Sequence, residues 1–193
     1  MSARGRGGPP GHIRIIGGRL RGSRLSVARL PGLRPTPQRL RQTLFDWLVP
    51  VIAGARVLDA FAGTGALGIE ALSRGAAAAD FWERDGGQAA LIATDLARLR
   101  QDAGRVRCVD ALATLAAPAA GRYDVVFMDP PFAAAAWEPA SAWLDANDWL
   151  RLPAWVYVEA GVGAEWRPPA RWQVYRQRVA GAVCGTLFRV AAG

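Results

Sequence analysis

The sequence predicts an α/β fold. A mostly parallel sheet carries helices on both faces, an antiparallel edge closes its C-terminal side, and a small hairpin-helix extension precedes it. Three observations lead there. From Arg56 to Ala160 short apolar runs alternate with helix-like segments, the pattern of a parallel sheet buried on both faces. A glycine-rich turn, DAFAGTGALG (Asp59 to Gly68), stands where the first of these strands becomes a helix. Beyond Trp172 two strand-like runs meet at Ala180-Gly181 with no helix between them.

Residues 1–11 read as a flexible tail. Residues 12–33 hold two extended stretches around Gly17-Gly18 and Gly22 and end at Pro31-Gly32, which predicts a β-hairpin. In Arg34-Pro35-Thr36-Pro37, Thr36 is placed as a helix N-cap with Pro37 at the first helical position. Leu40, Leu44, Trp47 and Leu48 follow at helical spacing. Strands are expected at 55–61, 78–83, 106–109, 123–128 and 154–160, separated by helices at 66–73, 88–100, 111–115 and 140–150. The runs at 172–179 and 181–190 supply the antiparallel edge.

At 193 residues the chain suffices for one well-buried domain, and 51% hydrophobic residues exclude a disordered one. No apolar run approaches the roughly 18–20 residues of a membrane span. The opening MSARGRGGPPG has no apolar core behind its charges and is not expected to be a signal peptide. Cys108 and Cys184 form no metal-ligand spacing and read as two reduced thiols in a packed cytosolic interior. With His12 the one histidine, a histidine-based metal or nucleophile mechanism is not expected.

The net charge of +8 is strongly partitioned. Residues 1–45 contain ten arginines and no acid, and residues 166–193 five arginines and no acid. Residues 46–165 contain nine arginines against sixteen acids, and the chain has no lysine. Guanidinium groups fork phosphates and stack on bases. Basic ends around an acidic middle point to a polyanion-binding rim on a separate catalytic body.

Gly63, Gly65 and Gly68 satisfy GxGxxG, the fingerprint of dinucleotide sites. In those sites the strand runs straight into the first glycine and the helix N-terminus faces a pyrophosphate. Here Asp59 ends the strand four residues before Gly63, and a carboxylate there repels phosphate. It suits S-adenosylmethionine, which carries an α-ammonium and a sulfonium and no phosphate. Glu83 ends the second strand about 20 residues past the loop, placed to accept from ribose hydroxyls. NAD also has a ribose, so Glu83 does not separate the two ligands. Asp110 ends the third strand, where it either accepts from an adenine amine, with the Ala111 backbone reading a ring nitrogen, or caps the following helix.

The fourth strand, YDVVFM, stops on Asp129-Pro130-Pro131-Phe132. Proline holds the residue before it extended, fixes its own φ and removes an N–H. The result is a stiff corner presenting two acceptors, the Asp129 carboxylate and the Pro130 carbonyl, beside the flat face of Phe132. Its complement is a planar base with an exocyclic amine. That nitrogen's lone pair is delocalised into the ring, and acceptors on its N–H bonds expose it for attack. Asp129 then stabilises the charge that develops, and Phe132 fixes the ring plane.

Four stretches resemble one family: RIIGGRLRGSRL (14–25), RPTPQRLRQTLFDWL (34–48), VLDAFAGTGALGIEALSRGA (57–76) and FMDPPF (127–132). They are similar to the RsmD-like family of class I S-adenosylmethionine-dependent amino-methyltransferases, with a resemblance running from Arg14 to Val190. It implies a Rossmann-like class I methyltransferase fold with a seven-stranded sheet, and methylation of guanine N2 in 16S ribosomal RNA. It implies that S-adenosylmethionine, converted to S-adenosylhomocysteine, contacts Asp59, Phe61, Gly63, Gly65, Glu83, Asp110 and Ala111. Asp129, Pro130 and Phe132 would hold the guanine, and Arg34, Thr36 and Arg39 match the family's segment near the cofactor and the RNA entrance. The basic segment 12–41, with Arg14, Arg19 and Arg21, and the C-terminal arginines are expected to grip the RNA. The family often has lysine after the ribose-binding acid, where this chain has Arg84.

The expected organisation is a basic tail (1–11), an RNA-binding hairpin and helix (12–49) and a methyltransferase domain (50–193). A monomeric cytoplasmic enzyme acting within a small-subunit particle, without metal or membrane, is expected. Guanine N2 lies in the minor groove of a duplex, so the target must be unpaired or flipped out. A DNA adenine or cytosine amino-methyltransferase uses the same Asp-Pro-Pro-aromatic device and is the alternative.

Overall fold

The computed structural model describes residues 12–27, 37–130 and 136–191. Strands β1 (His12–Arg14) and β2 (Arg24–Ser26) pair antiparallel as the expected hairpin. Seven further strands form one sheet: β3 (Arg56–Asp59), β4 (Ala78–Glu83), β5 (Gly104–Cys108), β6 (Tyr123–Met128), β7 (Leu150–Gly161), β8 (Trp172–Ala180) and β9 (Val183–Val190). Their order is β5-β4-β3-β6-β7-β9-β8. The first five run parallel, and β9 and β8 are antiparallel. The expected fold is present, with the last strand inserted between β7 and β8.

Strand alternation divides the core in two. Val57, Val125, Phe127, Tyr157 and Leu187 face helices α1 (Gln38–Ile52), α2 (Ala66–Ser73) and α3 (Gly86–Arg98). Leu58, Val126, Met128, Val158 and Phe188 face α4 (Ala111–Leu115) and α5 (Trp137–Ala146). On α1, Leu40, Leu44, Phe45 and Leu48 are fully buried, each worth about 1.5–3 kcal/mol by area. No helix among the described residues is long and apolar enough to cross a membrane.

Several boundaries differ from those expected. Helix α1 starts at Gln38 with Pro37 at the cap, one residue later than predicted; Thr36 lies outside the described residues. It runs to Ile52, past the expected boundary at 49, because Pro50 falls in the last turn, where apolar Ile52 is still buried. Helix α3 starts at Gly86 because the Asp85 carboxylate accepts from Gln88 N at 2.7 Å. Helix α5 spans Trp137–Ala146 instead of 140–150, since Asp148 takes a left-handed φ of 65° and Leu150 already belongs to β7. Cys108 is exposed, not packed inside, because edge strand β5 is largely solvent-facing. Cys184 is half-buried.

The hairpin is fastened to the main body through α2. Buried Glu70 accepts from Ile16 N and Gly17 N, both at 2.8 Å. Ser73 Oγ donates to Gly17 O at 2.6 Å and accepts from Leu20 N at 2.9 Å. A Cβ on Gly18, whose φ is +71°, would stand 2.0 Å from the Ser73 carbonyl. Only glycine fits this approach, which accounts for Gly18.

Candidate active site

The parallel strands deliver their last residues to one edge, where ligands of open α/β sheets bind. Asp59 ends β3, Glu83 ends β4, and Asp129 follows β6. Asp59 is buried, and its Oδ2 accepts from Gly68 N at 2.9 Å. Burial pushes its pKa up to about 7, with Glu83 and Glu159 adding to the effect and the Gly68 N–H opposing it.

The turn after Asp59 is held by its neighbours. Ala60 N donates to Phe127 O at 3.0 Å, and Ala62 N to Trp82 O at 2.9 Å. Glu83 Oε2 accepts from Gly63 N and its Oε1 from Asp85 N, both at 2.8 Å. Gly63 and Gly65 take φ of 52° and 70°, and Gly65 opens α2. Gly68 answers to packing instead. A Cβ there would stand 2.2 Å from the Phe81 ring, so this glycine serves helix-strand contact. Phe61 is half-buried against the α4–α5 side of the core.

Asp110 caps α4, accepting from Ala113 N at 2.9 Å, and Ala111 is buried. The capping reading is therefore realised, through Oδ1. The carboxylate's second oxygen is a different atom, so capping and adenine binding are compatible.

Asp129 and Pro130 form the end of the described strand segment, while Pro131 and Phe132 lie outside the described residues. Asp129 has its pKa raised, first by burial, then by Glu159 and Asp59. Glu159, which acts on Asp129 electrostatically, was not singled out in the sequence reading. It is buried in β7 and accepts from Tyr157 Oη at 3.0 Å. Its signal was available: an acid within the otherwise apolar run WVYVEA. Grouped buried acids favour a cationic ligand, because a positive charge offsets their mutual repulsion. This chemistry fits S-adenosylmethionine and not a pyrophosphate. Among the described residues no cluster of His, Cys, Asp or Glu is arranged to hold a metal ion.

Arg41 was also missed. It is buried on α1, donates from Nη2 to Arg14 O at 2.7 Å, and has no partner for Nε among the described residues. Burial lowers its pKa, while Glu70 and Glu159 oppose the shift. Of the expected RNA-binding residues, Arg14, Arg21 and Arg39 are exposed. Arg19 is also exposed but donates to Gln101 Oε1 at 2.6 Å. Arg34 lies outside the described residues, as does Thr36.

Strand order, glycine turn and edge carboxylates together define a Rossmann-like class I methyltransferase fold. Within that class the chain belongs to the family described as "Conserved hypothetical protein 95", whose profile matches residues 13–189. It is 44% identical over 181 residues to "Ribosomal RNA small subunit methyltransferase D" of Escherichia coli strain K12, covering 93% of this chain and 90% of that protein. The identically named Haemophilus influenzae protein is 42% identical over 125 residues, covering 63% of this chain and 65% of that protein. A solved Escherichia coli structure described as a candidate methyltransferase superposes with TM-score 0.87 at 45% identity. The match covers 95% of this chain and all of that one. At 13% identity and TM-score 0.65, a methyltransferase-like structure complexed with S-adenosylhomocysteine shares the fold; 86% of this chain and 52% of that one are covered.

Proposed function

We propose that this chain transfers a methyl group from S-adenosylmethionine to the exocyclic N2 of a guanine in 16S ribosomal RNA. The observation that carries the reading is Asp129, fixed extended before Pro130 at the sheet's carboxyl edge and facing Asp59. The Escherichia coli relative's name supports small-subunit ribosomal RNA as substrate.

Asp59 would take the cationic part of the cofactor, with the Gly63 and Gly65 backbone beside it. Glu83 would accept from the ribose while still bracing the Gly63 amide, since each carboxylate oxygen has two acceptor sites. Asp110 and Ala111 would meet the adenine, and Phe61 would line the same cleft. The cofactor supplies a sulfonium methyl: the N2 lone pair forms the N–C bond as the C–S bond breaks with its electrons on sulfur, and one N2 proton leaves.

Asp129 and the Pro130 carbonyl accept from the two N2–H bonds, and Phe132 carries the guanine plane. Asp129 stabilises the positive charge on N2 and receives the departing proton. Arg14, Arg19, Arg21, Arg34, Thr36 and Arg39 form the RNA grip on the N-terminal side. Arg176, Arg178 and Arg189, all exposed, continue it on the C-terminal strands. Arg171 serves another purpose, bonding Asp145 at 2.6 Å. The chain is read as a monomer working in the cytoplasm on a small-subunit particle.

The test is methylation of purified small-subunit particles, naked 16S RNA and duplex DNA with labelled cofactor, followed by mass mapping of the product. N2-methylguanine in 16S RNA is the expected product. Methylated adenine or cytosine in DNA, with unmodified RNA, overturns the proposal.

A further inference from the structure

We propose that Glu159 is a positioning residue for methyl transfer, acting through Asp129 and held in place by Tyr157. The proposal deepens the reading above and rests on it.

Strands β6 and β7 run parallel with Met128 opposite Val158. One step further along each chain, Asp129, just past the end of β6, comes level with Glu159, which is still within β7. Alternation puts them on the face of Phe127 and Tyr157, which is also the face of Asp59. Glu159 is therefore an immediate neighbour of Asp129, on a strand buried from both sides.

The surroundings are built to keep the Glu159 carboxylate there. Tyr157 Oη donates to Oε1 at 3.0 Å. Gly185 stands opposite Glu159 on β9, and a Cβ there would be 2.4 Å from that hydroxyl. Glycine at 185 is what admits the tyrosine hydroxyl beneath the acid. The Glu159 carbonyl accepts from Trp137 Nε1 at 2.8 Å, and Trp137 opens α5, the helix that follows the Asp129-Pro130 corner. The strand carrying Glu159 is thus tied to both ends of the segment that presents Asp129.

Among the described residues, the charged and titratable groups around this point are Tyr157 on β7, Asp129 just after β6, Asp59 at the end of β3, Cys184 on β9 and Arg41 on α1. Glu83 reaches the group through Asp59. A charged Glu159 raises the proton affinity of Asp129. Asp129 then binds the N2–H more strongly and accepts the proton more readily. In its charged form Glu159 also lies close to where the amine becomes positive.

The experiment compares the wild-type chain with Glu159→Gln and Tyr157→Phe, using small-subunit particles and saturating donor from about pH 5 to 9. Glu159→Gln is expected to lower kcat roughly tenfold with the donor KM within roughly threefold. The acid limb of its rate profile should move to lower pH, because the anion facing Asp129 is gone. Tyr157→Phe keeps the ring and should reproduce part of the rate loss. Donor binding by calorimetry confirms that each variant is folded. An unmoved acid limb, or wild-type kcat in Glu159→Gln, overturns the inference while leaving the proposed reaction intact. A wild-type chain that methylates none of its expected substrates overturns both.

Discussion

Arg41 of helix α1 donates to the main-chain carbonyl of Arg14 at 2.7 Å while its buried guanidinium faces Glu70 and Glu159. One cation thereby touches the start of the hairpin and faces two acids, one that fastens the hairpin and one beside Asp129. Removing one member of a buried charge group leaves the others uncompensated. Arg41→Met is expected to lose about 3 kcal/mol in denaturant unfolding. An effect below about 0.5 kcal/mol would show that the guanidinium carries no such role.

The empty protein should be less stable in weak base than in weak acid at this site. Asp59 is raised to about 7 in the folded chain, above its ordinary value. Between the two values the folded state holds a proton that the unfolded state has lost. Stability therefore falls as pH rises through that window, by up to about 1.4 kcal/mol per unit, and levels off above it. Asp129 is raised too and acts in the same direction. Thermal unfolding of wild type and Asp59→Asn at about pH 5 and pH 7 should show the larger loss in wild type. Affinity for a cationic ligand should rise over the same window, since the charged carboxylate is the binding form.

Asp129→Ala is expected to lower methyl transfer at least about a hundredfold, because it removes the acceptor aimed at the developing charge. Donor affinity should stay within about threefold, since Asp59, the Gly63 turn and Glu83 are untouched. Single-turnover assays and calorimetry on the same preparation separate the two effects. Substantial turnover by the variant would remove Asp129 from the mechanism.

Arg176 and Arg178 are exposed on β8, and Arg176 lies over the Tyr175 ring at 5.2 Å. Replacing both with glutamate should weaken RNA binding and reduce the salt slope of the affinity by about two. Donor binding should not change. A slope equal to wild type would place the RNA elsewhere.

Most of the fold was legible because hydrophobic period and glycine punctuation act locally. Strands 78–83 and 123–128 and helices 66–73 and 111–115 fall where the pattern predicts them. The misplaced ends have local causes that the period does not register. A cap at Asp85 draws α3 forward, and left-handed Asp148 stops α5 early. Asp59, Glu83 and Asp129 could be read as candidate site residues because each stands at the end of a strand on one edge of the sheet. Glu159 shows in the sequence only as an acid in an apolar run, which does not say what it faces, and Arg41 carries no such signal. Their significance comes from strand order and from a helix folding back over the sheet, relations between residues far apart in sequence. The glycines show the same limit: Gly68 and Gly185 matter for the Phe81 ring and the Tyr157 hydroxyl, neither of which is near them in the chain.

The position of β9 between β7 and β8 constrains how the molecule assembles during synthesis. Among the described residues β8 pairs with β9 alone, so when it is made before β9 it has no strand partner. Until β9 arrives, β7 presents a bare row of main-chain donors and acceptors, open to mispairing with other chains. The same late segment brings Gly185 beneath Tyr157. Completion of the sheet and the seating of Gly185 against the Tyr157 hydroxyl are therefore one event, and a nascent chain lacking β9 has neither.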